Sequence, residues 1–203
     1  MIDSYRTLAG PAEGRITRKR SRFLAFLRPI DSASEVDEAI AEIRRAYRGA
    51  AHHCSAFRLG AMPELISRSD DAGEPAGSAG RPILQRLEQA ELFDVLAVVV
   101  RYFGGTKLGI GGLIRAYGDA TQEALTAARI IVRRVAVDVL IRFPADVNSG
   151  VMATIHRCGA DVRTVRFDDQ GEMCVALPPT GIDSFCKAIR QATGGRASTE
   201  VLG

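Results

Sequence analysis

The segment from Gly104 to Gly112 combines glycine with cationic and hydroxyl side chains, a composition suited to anion binding. Five glycines in nine residues cost conformational entropy on folding, so the loop must need positive φ angles or close backbone approach. It precedes a predicted helix, whose first N–H groups lack internal partners at the positive end of the dipole. We therefore predict phosphate contacts from Arg101, Gly104, Gly105, Thr106, Lys107, Gly109, Gly111, Gly112 and Arg115.

The loop matches neither of the common nucleotide-binding fingerprints. Leu108 follows Lys107 at the position where a Walker loop has Ser or Thr. Ile114 stands three residues after Gly111, where a dinucleotide-binding fingerprint has Gly. A tight turn with close packing of helix on strand is the alternative that these residues leave open.

The densest basic run of the chain lies upstream, at Arg15, Arg18, Lys19, Arg20 and Arg22. Beside a phosphate-binding loop, this run would extend an electrostatic track for nucleic acid. A solvated strand edge is the alternative interpretation. Aromatic residues make up 6% of the chain and tryptophan is absent, so we expect backbone contacts rather than sequence-specific reading of single strands.

A second set of polar residues could line a groove, and its members are His52, Cys54, Asp70, Asp71 and Glu74. His52 and Cys54 share one face of a predicted strand and could form a nucleophile–base pair or bind a metal, but no orienting acid lies nearby in sequence. The three acidic residues could hold Mg²⁺, or they could cap turns and the next helix. We predict no catalytic residue, no metal site and no cofactor, with magnesium as the alternative.

Hydrophobic periodicity predicts two successive α/β patterns. In the first, a central strand at residues 93–103 accompanies strands at 21–30, 52–59 and 65–69 and helices at 34–49, from 82, and at 113–128. In the second, a strand at 130–143 and helices at 145–158 and 180–192 accompany strands at 162–167, 173–177 and 197–202. This βαββαβ order is the ferredoxin-like arrangement. Residues 1–14 suggest a leader or an edge strand, and we place two domains at 1–130 and 131–203.

Composition indicates a folded protein, and we expect it in the cytoplasm. Of 203 residues, 46% are hydrophobic and 25% are charged, and the net charge is +3. We expect no membrane partner, because no apolar run approaches the ~20 residues of a membrane span and no signal peptide is visible. The four cysteines are scattered without a Cys-x-x-Cys pair, which favours reduced, mostly buried thiols.

Several segments together resemble the IMPACT family. The strongest is the stretch from Arg101 to Tyr117, RYFGGTKLGIGGLIRAY. Residues 19–23 (KRSRF), 52–57 (HHCSAF) and the acidic glycine loop at 70–82 agree with further family motifs, so the likeness covers about residues 15–125. Two departures occur in the acidic loop, where Ala72 is interposed before Gly73 and Ser78 replaces the usual threonine.

The resemblance implies an α+β protein of two domains. The N-terminal domain would be an α/β sandwich like one in a small-subunit ribosomal protein and like domain four of elongation factor G. The C-terminal domain would resemble the ferredoxin-like domains of that factor. The family is linked to translational control, and its eukaryotic members restrain a stress kinase by competing for a ribosome-bound activator.

Three functions follow as hypotheses. The first is a translation-associated regulatory protein, not an enzyme, that binds RNA or ribosomal phosphates through the glycine-rich loop. The alternative is a small-molecule enzyme or nucleotide-binding protein that acts on a phosphorylated substrate. The third is a protein-interaction module with the C-terminal sheet as its docking face. RNA or the ribosome is the expected partner, and a protein partner is the alternative.

Overall fold

The computed structural model describes residues 2–60 and 64–202, which fold as a mixed α/β chain. The chain divides into two compact units. The first is Tyr5–Arg133, and the second joins residues 134–202 to residues 2–4. None of the helices in the described residues is both long enough and apolar enough to cross a bilayer.

The first unit is built on an antiparallel sheet flanked by helices. Its strands are β1 (Ser4–Leu8), β2 (Ala12–Arg18), β3 (Ser21–Pro29), β4 (His52–Leu59), β5 (Ile66–Asp70), β6 (Val95–Tyr102) and β7 (Ile130–Arg134). Its helices are α1 (Ala33–Ala46), α2 (Gly80–Gln89) and α3 (Ile110–Ala127). Five strands pair in the order β2-β3-β6-β4-β5, and β1 pairs separately with β7.

Strand β6 lies at the centre of the five-stranded sheet and is buried on both faces, as the unbroken apolar run from Val95 to Val100 predicted. Val99 packs with the helices α2 and α3 in one core cluster. Val98, on the other face, packs in a second cluster with residues of α1. A Cβ on Gly14 would lie 2.3 Å from the backbone nitrogen of Ala124, so the absence of a side chain there lets α3 lie directly on β2.

In its described residues, the second unit contains a four-stranded antiparallel sheet and two α-helices. Its elements are β8 (Val137–Phe143), α4 (Asn148–Cys158), β9 (Asp161–Phe167), β10 (Gly171–Leu177), α5 (Ile182–Ala192) and β11 (Ser198–Leu202). The element order is the predicted βαββαβ, and the strands pair in the order β11-β8-β10-β9. Its core gathers Val139, Ile141 and Val175 from the sheet with Phe185 and Ile189 from α5.

Some predicted boundaries were wrong. The single strand predicted at 130–143 is two strands, because the Val135 N–H donates to the Asp3 carbonyl at 2.9 Å where the chain enters the second unit. The edge-strand alternative for the N-terminal segment is confirmed, because it contains β1 and the start of β2, and β2 lies at the edge of the five-stranded sheet. Helix α3 begins at Ile110 rather than at 113, since its first hydrogen bond runs from the Leu113 N–H to the Gly109 carbonyl at 2.9 Å.

Candidate functional site

The glycine-rich loop connects the end of the central strand β6 to the start of helix α3. Gly105 and Gly109 have φ angles of 83° and 72°, in the left-handed region that favours glycine. Within residues 2–60 and 64–202, no oxygen accepts a hydrogen bond from the main-chain N–H groups of residues 105–112. Lys107 is exposed beside them. The loop therefore offers donors and a cation to an external anion.

The turn between β2 and β3 lies directly against this loop. A Cβ on Gly104 would lie 2.1 Å from the carbonyl carbon of Arg20 and 2.3 Å from the nitrogen of Ser21, so only glycine fits there. The Gly104 N–H donates to Ser21 Oγ at 3.1 Å. Arg20 Nη2 also reaches Thr106 Oγ1 at 3.4 Å. These contacts hold the most basic turn of the chain beside the candidate phosphate-binding amides.

The two residues at the tip of this turn are both in the left-handed region. Lys19 has a φ of 43° and Arg20 a φ of 66°. Hairpin turns with two positive φ angles strongly prefer Asn-Gly, and each non-glycine residue in this conformation is strained by about 1–2 kcal/mol. The chain thus places two exposed cations at a turn where stability alone would favour uncharged residues.

The other basic residues of the run do not form one track with the turn. Arg18 donates to Asp119 at 3.0 Å on the α3 side of the sheet. The β2–β3 register pairs Arg15 with Leu24, on the face toward α1, and Arg22 points to that same face, with its guanidinium 4.8 Å from the Tyr102 ring centre. Alternation along the strands therefore divides these side chains between opposite faces of the sheet.

Two carboxylates of the acidic loop between β5 and α2 accept hydrogen bonds from backbone N–H groups of the same loop. Asp71 accepts hydrogen bonds from the N–H groups of Gly77 at 2.7 Å, Ala79 at 2.9 Å and Gly80 at 2.8 Å. Burial tends to raise the pKa of Asp71, but these three hydrogen bonds outweigh it and hold the pKa below its ordinary value. Asp71 therefore caps the start of α2.

Asp70 has a similar local role, because its Oδ1 accepts from the Ala72 N–H at 2.9 Å. The interposed Ala72 takes a φ of 45°, which accommodates the extra residue at the cost of strain. Over residues 2–60 and 64–202, no group of three His, Cys, Asp or Glu side chains is arranged to hold a metal ion. Through these hydrogen bonds, Asp70 caps a turn and Asp71 caps a helix.

Glu74, the third acidic residue, is buried in a polar network beneath the glycine-rich loop. Its Oε1 accepts hydrogen bonds from Arg101 Nη1 at 2.6 Å and from the Tyr117 hydroxyl at 2.7 Å. His52 Nε2 lies 4.0 Å from the same oxygen. The side chains of Glu74 and Arg101 are only 3% and 7% exposed, so this is a buried ion pair.

Tyr117 was not among the predicted site residues, although it links α3 to this network. Its ring packs edge-on against Phe23 at 5.2 Å, and its hydroxyl reaches Glu74 and the Cys54 thiol. Burial, followed by the proximity of Cys54 and Glu74, raises the pKa of Tyr117. The sequence signal for this role was a hydroxyl-bearing aromatic within the apolar stripe of a helix that follows the loop.

Cys54 and His52 do not form a nucleophile–base pair. The fully buried Cys54 thiol donates to the Asp71 carbonyl at 3.0 Å, and burial raises its pKa to about 12. The thiol therefore stays protonated at neutral pH. His52 Nδ1 donates to the Ala72 carbonyl at 3.0 Å, which leaves Nε2 facing Glu74. Both residues hold the acidic loop against the sheet.

A pocket of about 340 Å³ opens between the acidic loop and the glycine-rich loop. It brings together residues from distant parts of the sequence, among them His52, Glu74, Arg101, Phe103, Lys107 and Gly109. Arg115 lies further along α3, where its side chain is exposed. The site thus combines main-chain donors and a cation at its rim with a buried carboxylate on its wall.

Comparison with known proteins identifies the class of protein that carries this site. Residues 19–125 match the Impact N-terminal domain, a span that includes the basic turn, both loops and all but the last two residues of α3. The chain therefore belongs to the IMPACT family, as the resemblance of its motifs indicated.

Among its relatives, IMPACT family member YvyE of Bacillus subtilis is 41% identical over 134 residues, which cover 66% of this chain and 61% of that protein. IMPACT family member YigZ of Escherichia coli is 31% identical over 186 residues, covering 91% of this chain and 90% of that one. The crystal structure of a hypothetical protein is similar over 100% of this chain and 99% of its own, with a TM-score of 0.70 and 26% identity.

Proposed function

We propose that the protein is a translation-associated regulatory protein that binds the phosphate backbone of RNA or of the ribosome through its glycine-rich loop. The loop amides of residues 105–112 would accept phosphate oxygens, and Lys107 and Arg20 would supply positive charge. Lys19 would add longer-range attraction from the tip of the turn. Membership of the IMPACT family supports the translational context, which the motif resemblance implies.

The observation that carries this proposal is the set of main-chain N–H groups at residues 105–112 without an acceptor in the described part of the chain. Amides committed to internal carbonyls could not bind phosphate. The adjacent turn supports the same function, because the strained φ angles of Lys19 and Arg20 keep two cations where uncharged residues would fold more easily.

The test is a salt titration of RNA binding by the full chain. Fluorescence anisotropy with a short single-stranded RNA should show weaker binding by Lys107→Ala and a log–log salt slope smaller by about 0.7, the value for one phosphate contact on a single strand. Lys187→Ala, on an exposed position of α5, is the matched control and should bind as the unmodified protein does. Equal affinity and equal slope for Lys107→Ala would contradict the proposal.

The proposal extends to the architecture and location of the chain. The βαββαβ order and the strand order β11-β8-β10-β9 support a ferredoxin-like domain in residues 131–203. For residues 1–130 we propose a fold like domain four of elongation factor G, supported by the family match. A ribosome-associated role requires a cytoplasmic location. Ribosome co-sedimentation that is lost in Lys107→Ala would support this role and this location.

A further inference from the structure

The pocket beside the glycine-rich loop has more apolar surface than phosphate binding requires. Phe103 and Ile110, which line it, are 53% and 60% exposed. Exposed large apolar side chains around a concave site indicate an apolar ligand surface. An exposed aromatic ring is also the feature on which proteins stack unpaired bases. The pocket therefore suits a flat, apolar ring attached to a phosphate.

The polar wall of the pocket carries a carboxylate oxygen that no described residue pairs. Both hydrogen bonds to Glu74, from Arg101 and from Tyr117, go to Oε1. Within the described ranges, no residue donates to Oε2, although the side chain is only 3% exposed and lines the pocket. Oε2 itself is not fully buried, so a donor inside the pocket can reach it. A ligand with an N–H group facing Glu74 would supply it.

The rim of the pocket is cationic and is continuous with the loop amides. Lys107 and Gly109 line the same pocket as Phe103 and Glu74. A ligand whose ring occupies the pocket would thus have its anionic group beside Lys107 and the start of α3. Aromatic ring, N–H donor and phosphate occur together in a nucleotide whose base carries an amino group.

We propose that the pocket binds one unstacked nucleobase with an exocyclic amino group, stacked on Phe103 and donating to Glu74 Oε2, with its phosphate on Lys107 and the loop amides. This inference rests on the proposed function, because it extends the same phosphate site to a base. Cytosine fits because its N4 amino group donates to carboxylates, whereas uracil presents a carbonyl oxygen at that position. The low aromatic content of the chain is no obstacle, since one ring suffices for one base.

The first test is calorimetry of the full chain with CMP, UMP and ribose 5-phosphate. CMP should bind about tenfold more tightly than ribose 5-phosphate, because the base adds stacking, and about tenfold more tightly than UMP. Phe103→Ala should remove the advantage of CMP over ribose 5-phosphate. Phe167→Ala, which removes an equally exposed phenyl ring from β9 in the second unit, is the matched control and should change nothing.

The second test changes the hydrogen-bonding group that residue 74 presents to the pocket. In Glu74→Gln, the amide oxygen would remain on Arg101 and Tyr117, and the amide N–H₂ would face the pocket, so the preference should shift from CMP toward UMP. A variant that only destabilised the fold would weaken the binding of CMP and of UMP equally. Circular dichroism establishes that Glu74→Gln is folded before its preference is compared.

The outcomes separate this inference from the proposed function. Equal affinity for CMP and ribose 5-phosphate, or no effect of Phe103→Ala, would overturn the base pocket even if Lys107→Ala still weakened RNA binding. A hexacytidine RNA that binds more tightly than CMP supports an RNA base as the ligand. If CMP binds as tightly as the hexamer, the pocket is supported with a free nucleotide as its source, and the RNA function fails.

Discussion

The guanidinium of Arg101 donates to the carboxylate of Glu74 at 2.6 Å, and this contact joins the central strand β6 to the acidic loop. Only one guanidinium nitrogen makes it, and Arg101 Nε is buried without a partner among the described residues. The guanidinium also lies 5.5 Å from the ring centre of Phe103 and 5.6 Å from that of Phe23. The pair thus fixes the position of the pocket wall relative to both loops.

Removal of the carboxylate should destabilise the first unit strongly. Glu74→Ala would leave the Arg101 charge buried and unpaired, which costs about 3–5 kcal/mol of unfolding free energy. Urea unfolding followed by circular dichroism measures this loss. Glu38→Ala, at an exposed position of α1, should stay within about 0.5 kcal/mol of the unmodified protein. A similarly small loss for Glu74→Ala would show that the ion pair contributes little.

The basic turn should behave as a site where stability is exchanged for binding. The double variant K19N/R20G supplies the Asn-Gly pair that such a turn prefers and should raise the unfolding free energy by about 1 kcal/mol. The same variant should bind RNA more weakly with a smaller salt slope, because it loses two cations.

K19N/R20A is the matched comparison for this prediction, since it removes the same charges and keeps a side chain at the strained position. It should lose the same RNA affinity while gaining less stability than K19N/R20G. If K19N/R20G is less stable than the unmodified protein, the left-handed conformations of Lys19 and Arg20 are not a source of strain.

Asp71 should make stability depend on pH in the acid range. Because its folded pKa is below the ordinary value, ionised Asp71 stabilises the fold above the unfolded pKa, and this contribution is lost as pH falls through the folded pKa. Asp71→Ala should cost about 1–2 kcal/mol at neutral pH, the typical value of a helix cap. The difference between variant and unmodified protein should shrink below about pH 4.

Unfolding by urea at a series of pH values gives this difference directly. Asp37→Ala removes an exposed carboxylate from α1 and serves as the control, with a small effect at every pH. A cost of Asp71→Ala that stays constant from neutral pH to pH 3 would mean that the ionised carboxylate is not what caps the helix.

The parts of the structure that depend on local patterns were predictable from the sequence. The continuous apolar run from Val95 to Val100 indicated a central strand, and the glycine-rich loop after it marked where the candidate site begins. The Glu74 network was not predictable, because its partners Arg101 and Tyr117 are 27 and 43 residues away and meet it only through tertiary packing.

The basic run shows a different limit. A count of charges between residues 15 and 22 suggested one track, whereas the twofold period of β-strands assigns neighbouring side chains to opposite faces. That division follows from the sequence once the strands are placed. The positive φ angles of Lys19 and Arg20 could not be predicted from the sequence, because neither residue type favours that conformation.

Asp3 accepts a hydrogen bond from the Thr180 N–H at 3.0 Å, although 177 residues separate them. The second unit therefore combines residues 2–4 with residues 134–202, and residues 5–133 are inserted within it. During synthesis, residues 2–4 would leave the ribosome long before residues 134–202 are made. A division of the chain near residue 130 would separate residues 2–4 from the second unit. An isolated second unit should therefore include residues 2–4, joined through a short linker.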